Sequence, residues 1–472
     1  MPDSTVTPSP PDAALPDPYP VQPIGPFSAT LSPPGSKSLT NRALLIAALA
    51  DGPCTLTGVL FADDTRVMLD ALQTLGFELT INEPDATVTV RGRNGRIPTV
   101  SATPSDPDED PTPTELFLGN AGTATRFLTA ALTLGRGTYQ LDGIPRMRQR
   151  PIGELVDALA ELEAVIDYDA KPGYPPLTIH GNGGLPGGEI TLQPTLSSQF
   201  ISALLLAGPH LDDGLTIRFD GEITSLPYVK MTIKLMEHFG VKPSFKRDAN
   251  GDPYIRVRPA QYAATDYTVE PDASNASYFL AAAAAVPGSD CTIDHLGSRS
   301  LQGDAEFCDL LGRMGCTVIQ KLESTHVAAP PDGKLLGIDA DLNRMPDMAQ
   351  TLAVLALFAE GPTTIRNVGN LRVKETDRLD ALETELTKLG ATAMTLGDDL
   401  TIHPPPDNQL TADDQSPVLI ETYDDHRMAM AFAVAGLRHP GIHLADPACV
   451  NKTYPTFFDD LATLSPRNTS VA

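Results

Sequence analysis

The sequence predicts an α/β protein built from six repeats of one unit, grouped as two domains of three. Three observations carry that expectation. Six times, a polar turn rich in Ser, Thr, Asn or Asp leads into an Ala/Leu-rich helix. A Gly or Pro and a short β-branched strand follow, and in five units a second, amphipathic helix. Finally, the scarce basic residues of an acidic chain concentrate in these turns and first helical turns.

The first helices read SKSLTNRALLIAALADG from Ser36, NAGTATRFLTAALTLGRG from Asn120 and LSSQFISALLLAGPHLDDG from Leu196. SNASYFLAAAAAVPGS from Ser274, PDMAQTLAVLALFAEG from Pro346 and DDHRMAMAFAVAGLRHPG from Asp424 complete the set. They are apolar nearly all round, so they belong inside each domain. The second helices place apolar residues at i, i+3, i+4 and i+7 and keep a polar face, so they belong outside. Four of the five end in Leu-Gly, Phe-Gly or Met-Gly, the chemistry of a helix C-cap. Each unit is about 70–85 residues, longer than the 20–50 typical of solenoid arrays, and is a small layer of its own. A seam falls near Glu270, between the third and fourth units. Residues 98–114, acidic and Pro-rich, read as an exposed loop. Residues 1–20 hold seven prolines and no basic residue and read as a disordered tail; the C-terminal PRNTSVA reads as frayed.

Composition narrows the partners. The formal net charge is -26, from 34 Lys+Arg against 60 Asp+Glu, and such a surface repels nucleic acid and anionic membranes. The acid excess fits either a salty habitat or ordinary solubility. Any anionic ligand must be held by local positive charge. Five cysteines without Cys-x-x-Cys spacing point to buried reduced thiols, and no His/Cys/Glu set has metal spacing. No apolar run approaches the ~20 residues that span a bilayer. The first basic residue is Lys37, so neither a secretory nor a transit signal is expected and the cytoplasm is the default location.

Five constellations carry chemistry. Gly35-Ser36-Lys37-Ser38, with Asn41-Arg42, offers a helix N-terminus with a lysine beside it, suited to an anion. It lacks the spacing of a nucleotide phosphate loop. In Leu118–Arg126, Asn120 or Thr123 is expected to cap a helix, with small residues clearing space before it. Arg146-Met147-Arg148-Gln149-Arg150-Pro151 puts three arginines in five residues, with Pro151 expected at the first helical position. Asn370–Arg378, if helical from about Glu375, sets Lys374, Glu375 and Arg378 around one turn, able to bind an anion and move a proton. Tyr423–Arg427 opens an otherwise apolar helix with charge, which needs partners if buried. Asp347, Ser197-Ser198-Gln199 and Lys452 sit at further such points. Equivalent positions in repeats converge, so these charges should face one cleft.

Taken together, PGSKSxxNRAL at 34–44, GNAGTATR at 119–126, RPIGxLVDAL at 150–159, SSQF at 197–200, VKETDRL at 373–379 and DDHRMAM at 424–430 resemble the EPSP synthase (3-phosphoshikimate 1-carboxyvinyltransferase) family. The resemblance implies a two-domain inside-out α/β barrel, each domain three βαβαββ repeats with pseudo-three-fold symmetry. It implies one domain of residues 22–35 plus 270–468 and another of 36–269, with 1–21 as tail. It implies transfer of the enolpyruvyl group of phosphoenolpyruvate to the 5-hydroxyl of shikimate 3-phosphate, with no metal or organic cofactor, in a cytoplasmic monomer inhibited by glyphosate. Matched by motif, Lys37, Ser38, Arg42, Ser197, Ser198, Gln199, Ser225, Tyr228, Asp347, Asn370 and Lys374 would hold shikimate 3-phosphate. Lys37, Asn120, Gly122, Arg150, Gln199, Arg378, Arg427 and Lys452 would hold phosphoenolpyruvate. Asp347, Glu375, Lys37 and His426 would be catalytic, without a fixed assignment of each proton transfer. Phe127, Leu226 and Leu371 depart from the family pattern, leaving helix geometry near Gly122 open. The alternative, a UDP-N-acetylglucosamine enolpyruvyl transferase, usually carries a reactive loop Cys that IPRMRQRPIGELVDAL lacks. A non-catalytic scaffold would not need Asp347, Glu375 and Lys37 beside the cations, and an RNA-end-processing enzyme would need a basic stripe.

Overall fold

Every one of the six Ala/Leu-rich segments forms a buried helix in the computed structural model, which describes residues 15–98, 112–193 and 197–464. These helices are Lys37–Leu49, Gly122–Leu132, Ser198–Ala207, Ala273–Ala285, Ala349–Ala356 and His426–Arg438. Every residue of Ala273–Ala285 is buried, as helices without a polar face must be. The amphipathic helices Asp63–Thr74, Gly153–Glu161, Leu226–His238, Phe307–Arg313 and Arg378–Lys388 lie outside them.

Five four-stranded sheets share one plan, a parallel pair followed by two antiparallel strands, and in three of them an inner helix joins the parallel pair. In the second unit Thr114–Phe117 runs parallel to Arg136–Asp142, which pairs antiparallel with Leu177–Asn182 and then Val165–Tyr168. In the sixth, Val418–Ile420 runs parallel to Ile442–Leu444, and Tyr19–Pro20 supplies the antiparallel neighbour.

Two strands are exchanged. Ser28–Leu31 precedes the first inner helix yet pairs with Asp290–Ile293 of the fourth unit. Tyr267–Thr268 precedes the fourth inner helix yet pairs with Leu56–Thr57 of the first. The crossing segments lie against each other, with Ser36 N–H donating to the Glu270 carbonyl (2.9 Å) and Asp272 N–H to that of Pro34 (2.9 Å). Buried apolar residues form two clusters, one from Leu39 to Val269 and one joining Val21 and Phe27 to Ala273–Leu464. Asp272 touches both bodies: its carboxylate accepts from Lys37 N–H (3.0 Å) and Asn275 N–H (2.9 Å), capping two inner helices at once.

Several local expectations need correction. Residues 15–21 are not a loose tail: Tyr19 stacks on Phe458 (4.3 Å between ring centroids), and Val21 is buried and donates its N–H to Ile442. A sheet edge tolerates Pro20 because no ladder bond is asked of its nitrogen. The helix drawn from Glu375 begins at Arg378, because Asp377 accepts from Leu379 and Asp380 N–H and is the stronger cap. Neither Asn120 nor Thr123 caps the second inner helix; its N-cap is Ala121, without a side-chain bond. Pro151 stands two residues before the helix Gly153–Glu161. The helix beside Phe127 is regular, and Phe127 is buried under Arg42. All five cysteines are buried and free. Residues 1–14, 99–111 of the acidic loop and the C-terminal PRNTSVA lie outside the described residues.

All five outer helices close with the same pair of bonds, as in Phe77 N–H to Leu72 and Gly76 N–H to Gln73. Gly76, Gly240, Gly315 and Gly390 take the required left-handed conformation (φ 84–100°), but the second unit uses Glu163 at φ 71°. A side chain there is strained. Glu163→Gly should therefore raise stability by about 0.5–1 kcal/mol in urea unfolding, and Gly76→Ala should lower it by about 1 kcal/mol.

Candidate active site

The inner helices bring their N-termini together where the two clusters face each other. Ser36, Ser197 and Asp425 cap three of them with side-chain oxygens. The free N–H groups and positive helix ends thus point into one cleft.

One pocket in that cleft is lined by Ser38, Arg42, Thr123, Ser197, Ser198, Gln199, Ser225, Tyr228, Pro346, Asp347, Asn370 and Lys374. Ten of the residues matched to shikimate 3-phosphate are here; Lys37 stands outside the lining. Arg42 is 2% exposed and bonds only neutral groups: Thr232 Oγ1 (2.7 Å), Ser202 Oγ (3.1 Å) and the Ser38 carbonyl (2.9 Å). Burial lowers its pKa to about 9. Burial also lowers that of Lys374, whose ammonium has no hydrogen bond or ion pair among the described residues. Neither cation has a carboxylate in contact, so this pocket suits an anion.

Beside it other cations meet carboxylates. Asp64 bridges Lys37 (3.3 Å) and Lys452 (2.7 Å). Lys452 also donates to the Asn120 carbonyl (2.9 Å), as does Arg150 (2.9 Å), which in turn lies 3.8 Å from Glu375. Arg378, its side chain 1% exposed, holds Asp425 (2.7 Å), Glu375 (2.9 Å) and Asp347 (3.2 Å) together. Arg427 binds the other oxygen of Asp347 (2.8 Å). Gly122 lies against Arg150: a Cβ there would sit 2.5 Å from its Nη2.

Burial alone would raise the pKa of Glu375, but Arg378, Arg150, Lys452 and Lys37 outweigh it and hold the carboxyl well below its usual range. Asp347 is likewise lowered, against burial, by Arg427, Lys374, Arg378 and Lys37. His426 is pushed well below its ordinary value by burial and then by Lys37 and Arg427. Neither of its ring nitrogens has a hydrogen-bond partner; Nδ1 stands 3.7 Å from Asp425. The cleft thus offers two carboxylates fixed as anions, a neutral imidazole and a surplus of cations, which is equipment for binding two anions and moving protons between them.

The sequence reading missed Asp64 and Asp304, and gave no site role to Arg126 and Arg146 although both stand in motifs it singled out. Asp64 looks like an ordinary acid at a helix start. Arg126 is 3% exposed, donates to the Pro151 carbonyl (2.7 Å) and lines a second pocket with Arg150, Gln199 and Lys374. Arg146 reaches across the cleft to the Lys374 carbonyl (2.7 Å). Asp304 is 3% exposed, and burial, then Asp347, raise its pKa to about 6.

The fold matches that of a solved enolpyruvyl transferase, NikO of Streptomyces tendae, with a TM-score of 0.71 at 19% identity, over 94% of this chain and 96% of that one. A solved EPSP synthase from Acinetobacter baumannii matches with a TM-score of 0.73 at 25% identity, over 94% and 97%. The family model for EPSP synthase (3-phosphoshikimate 1-carboxyvinyltransferase) matches residues 21–461. The 3-phosphoshikimate 1-carboxyvinyltransferase of Serratia proteamaculans is 45% identical over 94% of this chain and 98% of its own. The chloroplastic enzyme of Arabidopsis thaliana is 44% identical over 94% and 84%. The chain belongs to the EPSP synthase family.

The neutrality of His426 has a measurable consequence. Below pH ~6.5 an unfolded chain protonates this histidine while the folded one does not, so stability falls with pH by up to ~1.4 kcal/mol per unit from this group. In NMR the His426 ring should stay neutral at pH 6, and His426→Gln should lose less stability between pH 7 and 5 than the wild type. A ring that titrates near pH 6.5 contradicts the burial argument.

Proposed function

We infer that this chain transfers the enolpyruvyl group of phosphoenolpyruvate to the 5-hydroxyl of shikimate 3-phosphate, giving 5-enolpyruvylshikimate 3-phosphate and inorganic phosphate. The observation that carries the reading is the joining of the family's motifs in one cleft, where an anion pocket and a neighbouring cluster of cations adjoin Asp347 and Glu375. Shikimate 3-phosphate is assigned to the pocket of Ser38, Arg42, Ser197, Ser198, Ser225, Tyr228, Asn370 and Lys374. Phosphoenolpyruvate is assigned to Lys37, Asn120, Gly122, Arg150, Arg378, Arg427 and Lys452, with Gln199 between the two substrates.

In the addition step the 5-hydroxyl oxygen bonds to C2 of phosphoenolpyruvate, its proton leaves, and the methylene carbon gains a proton. In the elimination the bond from C2 to the phosphate oxygen breaks, phosphate departs and the methyl group loses a proton. Asp347 is the base toward the hydroxyl; Glu375 and Lys37 serve the methylene proton and the leaving group, and His426 assists. The carboxylates are poor proton acceptors while Arg378, Arg427, Arg150 and the lysines neutralise them. Those same cations are the proposed ligands of phosphoenolpyruvate. Its carboxylate and phosphate draw on their charge, so binding raises the basicity of Asp347 and Glu375 when they must act.

The cytoplasm, a monomeric state and inhibition by glyphosate belong to the same reading. Among the described residues no helix is long and apolar enough to cross a membrane. Glycine at position 122 lets the Arg150 guanidinium lie where a Cβ would collide with it.

Purified protein should release phosphate from phosphoenolpyruvate only when shikimate 3-phosphate is added. Release with UDP-N-acetylglucosamine instead would select the other transferase. Lys37→Met and Glu375→Gln should stay folded and lose about 10²-fold or more in turnover. Gly122→Ala should displace the Arg150 guanidinium and raise KM for phosphoenolpyruvate about tenfold, with KM for shikimate 3-phosphate nearly unchanged. An unchanged KM for phosphoenolpyruvate in that variant would remove Arg150 from the site.

A further inference from the structure

The fourth unit contributes none of the cleft cations, and the proposed reaction leaves it without a task. Its segment Ser300–Asp304 nevertheless reaches Tyr228, which lines the substrate pocket. It is fastened to the crossing strand: Leu301 N–H donates to Glu270 Oε1 (2.9 Å), while Gln302 accepts from Ala273 N–H (3.0 Å) and donates to the Pro271 carbonyl (2.7 Å). Gly303 then meets Pro227 of the opposite cluster so closely that a Cβ would stand 2.4 Å from the proline Cβ. This approach delivers Asp304 to the hydroxyl of Tyr228, which donates to it at 2.8 Å. The second oxygen of Asp304 accepts from Ser274 at the start of the fourth inner helix. Three residues before Tyr228, the same seam holds Ser225, whose N–H and hydroxyl donate to Asn343 Oδ1 and its carbonyl (both 3.3 Å).

We propose that Asp304 is a positioning residue for shikimate 3-phosphate, acting through Tyr228. The assignment rests on the reaction inferred above. Tyr228 belongs to one core and Asp304 to the other, so the hydroxyl has its place only while the two bodies are together. Without the carboxylate the ring keeps its packing, but its hydroxyl loses the acceptor that orients it toward the pocket. The neighbouring cluster of Asp64, Lys37, Lys452 and Asn120 shares no hydrogen bond with Asp304, so the effect should be confined to one substrate.

Steady-state kinetics of Asp304→Asn, Tyr228→Phe and the double variant test this. Asp304→Asn should raise KM for shikimate 3-phosphate about tenfold, the difference between a charged and a neutral acceptor for the Tyr228 hydroxyl, with KM for phosphoenolpyruvate within about twofold. Tyr228→Phe should show the same selective rise, and the double variant should be no worse than either single one. Equal rises for both substrates, or multiplying effects in the double variant, would overturn the assignment. Tyr228→Phe cuts the same bond from its other end and keeps the test open if Asp304→Asn does not fold. A wild type that fails to turn over the two substrates overturns the reaction itself, and the role of Asp304 with it.

Discussion

A single buried guanidinium fixes the arrangement of this cleft. Arg378 is closed off from solvent and is matched by three carboxylates from three places in the chain: Asp425 on the sixth inner helix, Asp347 at the start of the fifth, and Glu375 in the turn before its own helix. A buried charge without such partners costs several kcal/mol, so none of these elements can shift alone. Asp347 then holds Arg427, and Glu375 faces Arg150 across the cleft. The geometry of the charged groups in the cleft follows from charge neutralisation around one side chain.

That neutralisation is uneven, and the unevenness is chemically useful. The side of Lys37, Arg150 and Lys452 is a lattice of mutual ion pairs in which an incoming anion competes with carboxylates for the same cations. The neighbouring pocket keeps Arg42 among neutral hydroxyls and Lys374 without a charged contact partner, so an anion meets cations that lack one. An acidic surface makes both pockets local exceptions in a repulsive field, which disfavours binding of anions elsewhere.

The repeat was readable because each part has its own physical signature. Ser and Asp caps, helices with no polar face, and glycines after the outer helices all appear as residue types at fixed offsets. Cations were readable because Lys37, Arg150 and Arg378 are rare types in conspicuous turns. Their counter-charges were not: Asp64, Asp304 and Asp272 are ordinary members of an acid-rich chain, and only folding distinguishes a buried carboxylate from a solvated one. Residues 15–21 misled for a related reason. Proline-rich composition describes a chain that cannot build its own core, but here a core built by the sixth unit, with Phe458 and Ile442, captures Tyr19 and Val21. The start of the helix at Arg378 turned on whether Asp377 would cap, a choice between adjacent polar residues that periodicity does not resolve.

The exchanged strands set a timetable for synthesis. Ser28 leaves the ribosome 262 residues ahead of its partner Asp290. At 5–20 residues per second that interval is roughly 13–50 s. During it, residues 36–269 can bury their inner helices, completing their first sheet with Tyr267–Thr268 only as that stretch ends. The early strand must stay unpaired and unaggregated throughout, which its shortness and flanking prolines favour. Asp272, arriving last at the crossing, caps the first inner helix and the fourth together, so the carboxylate that finishes one body begins the other.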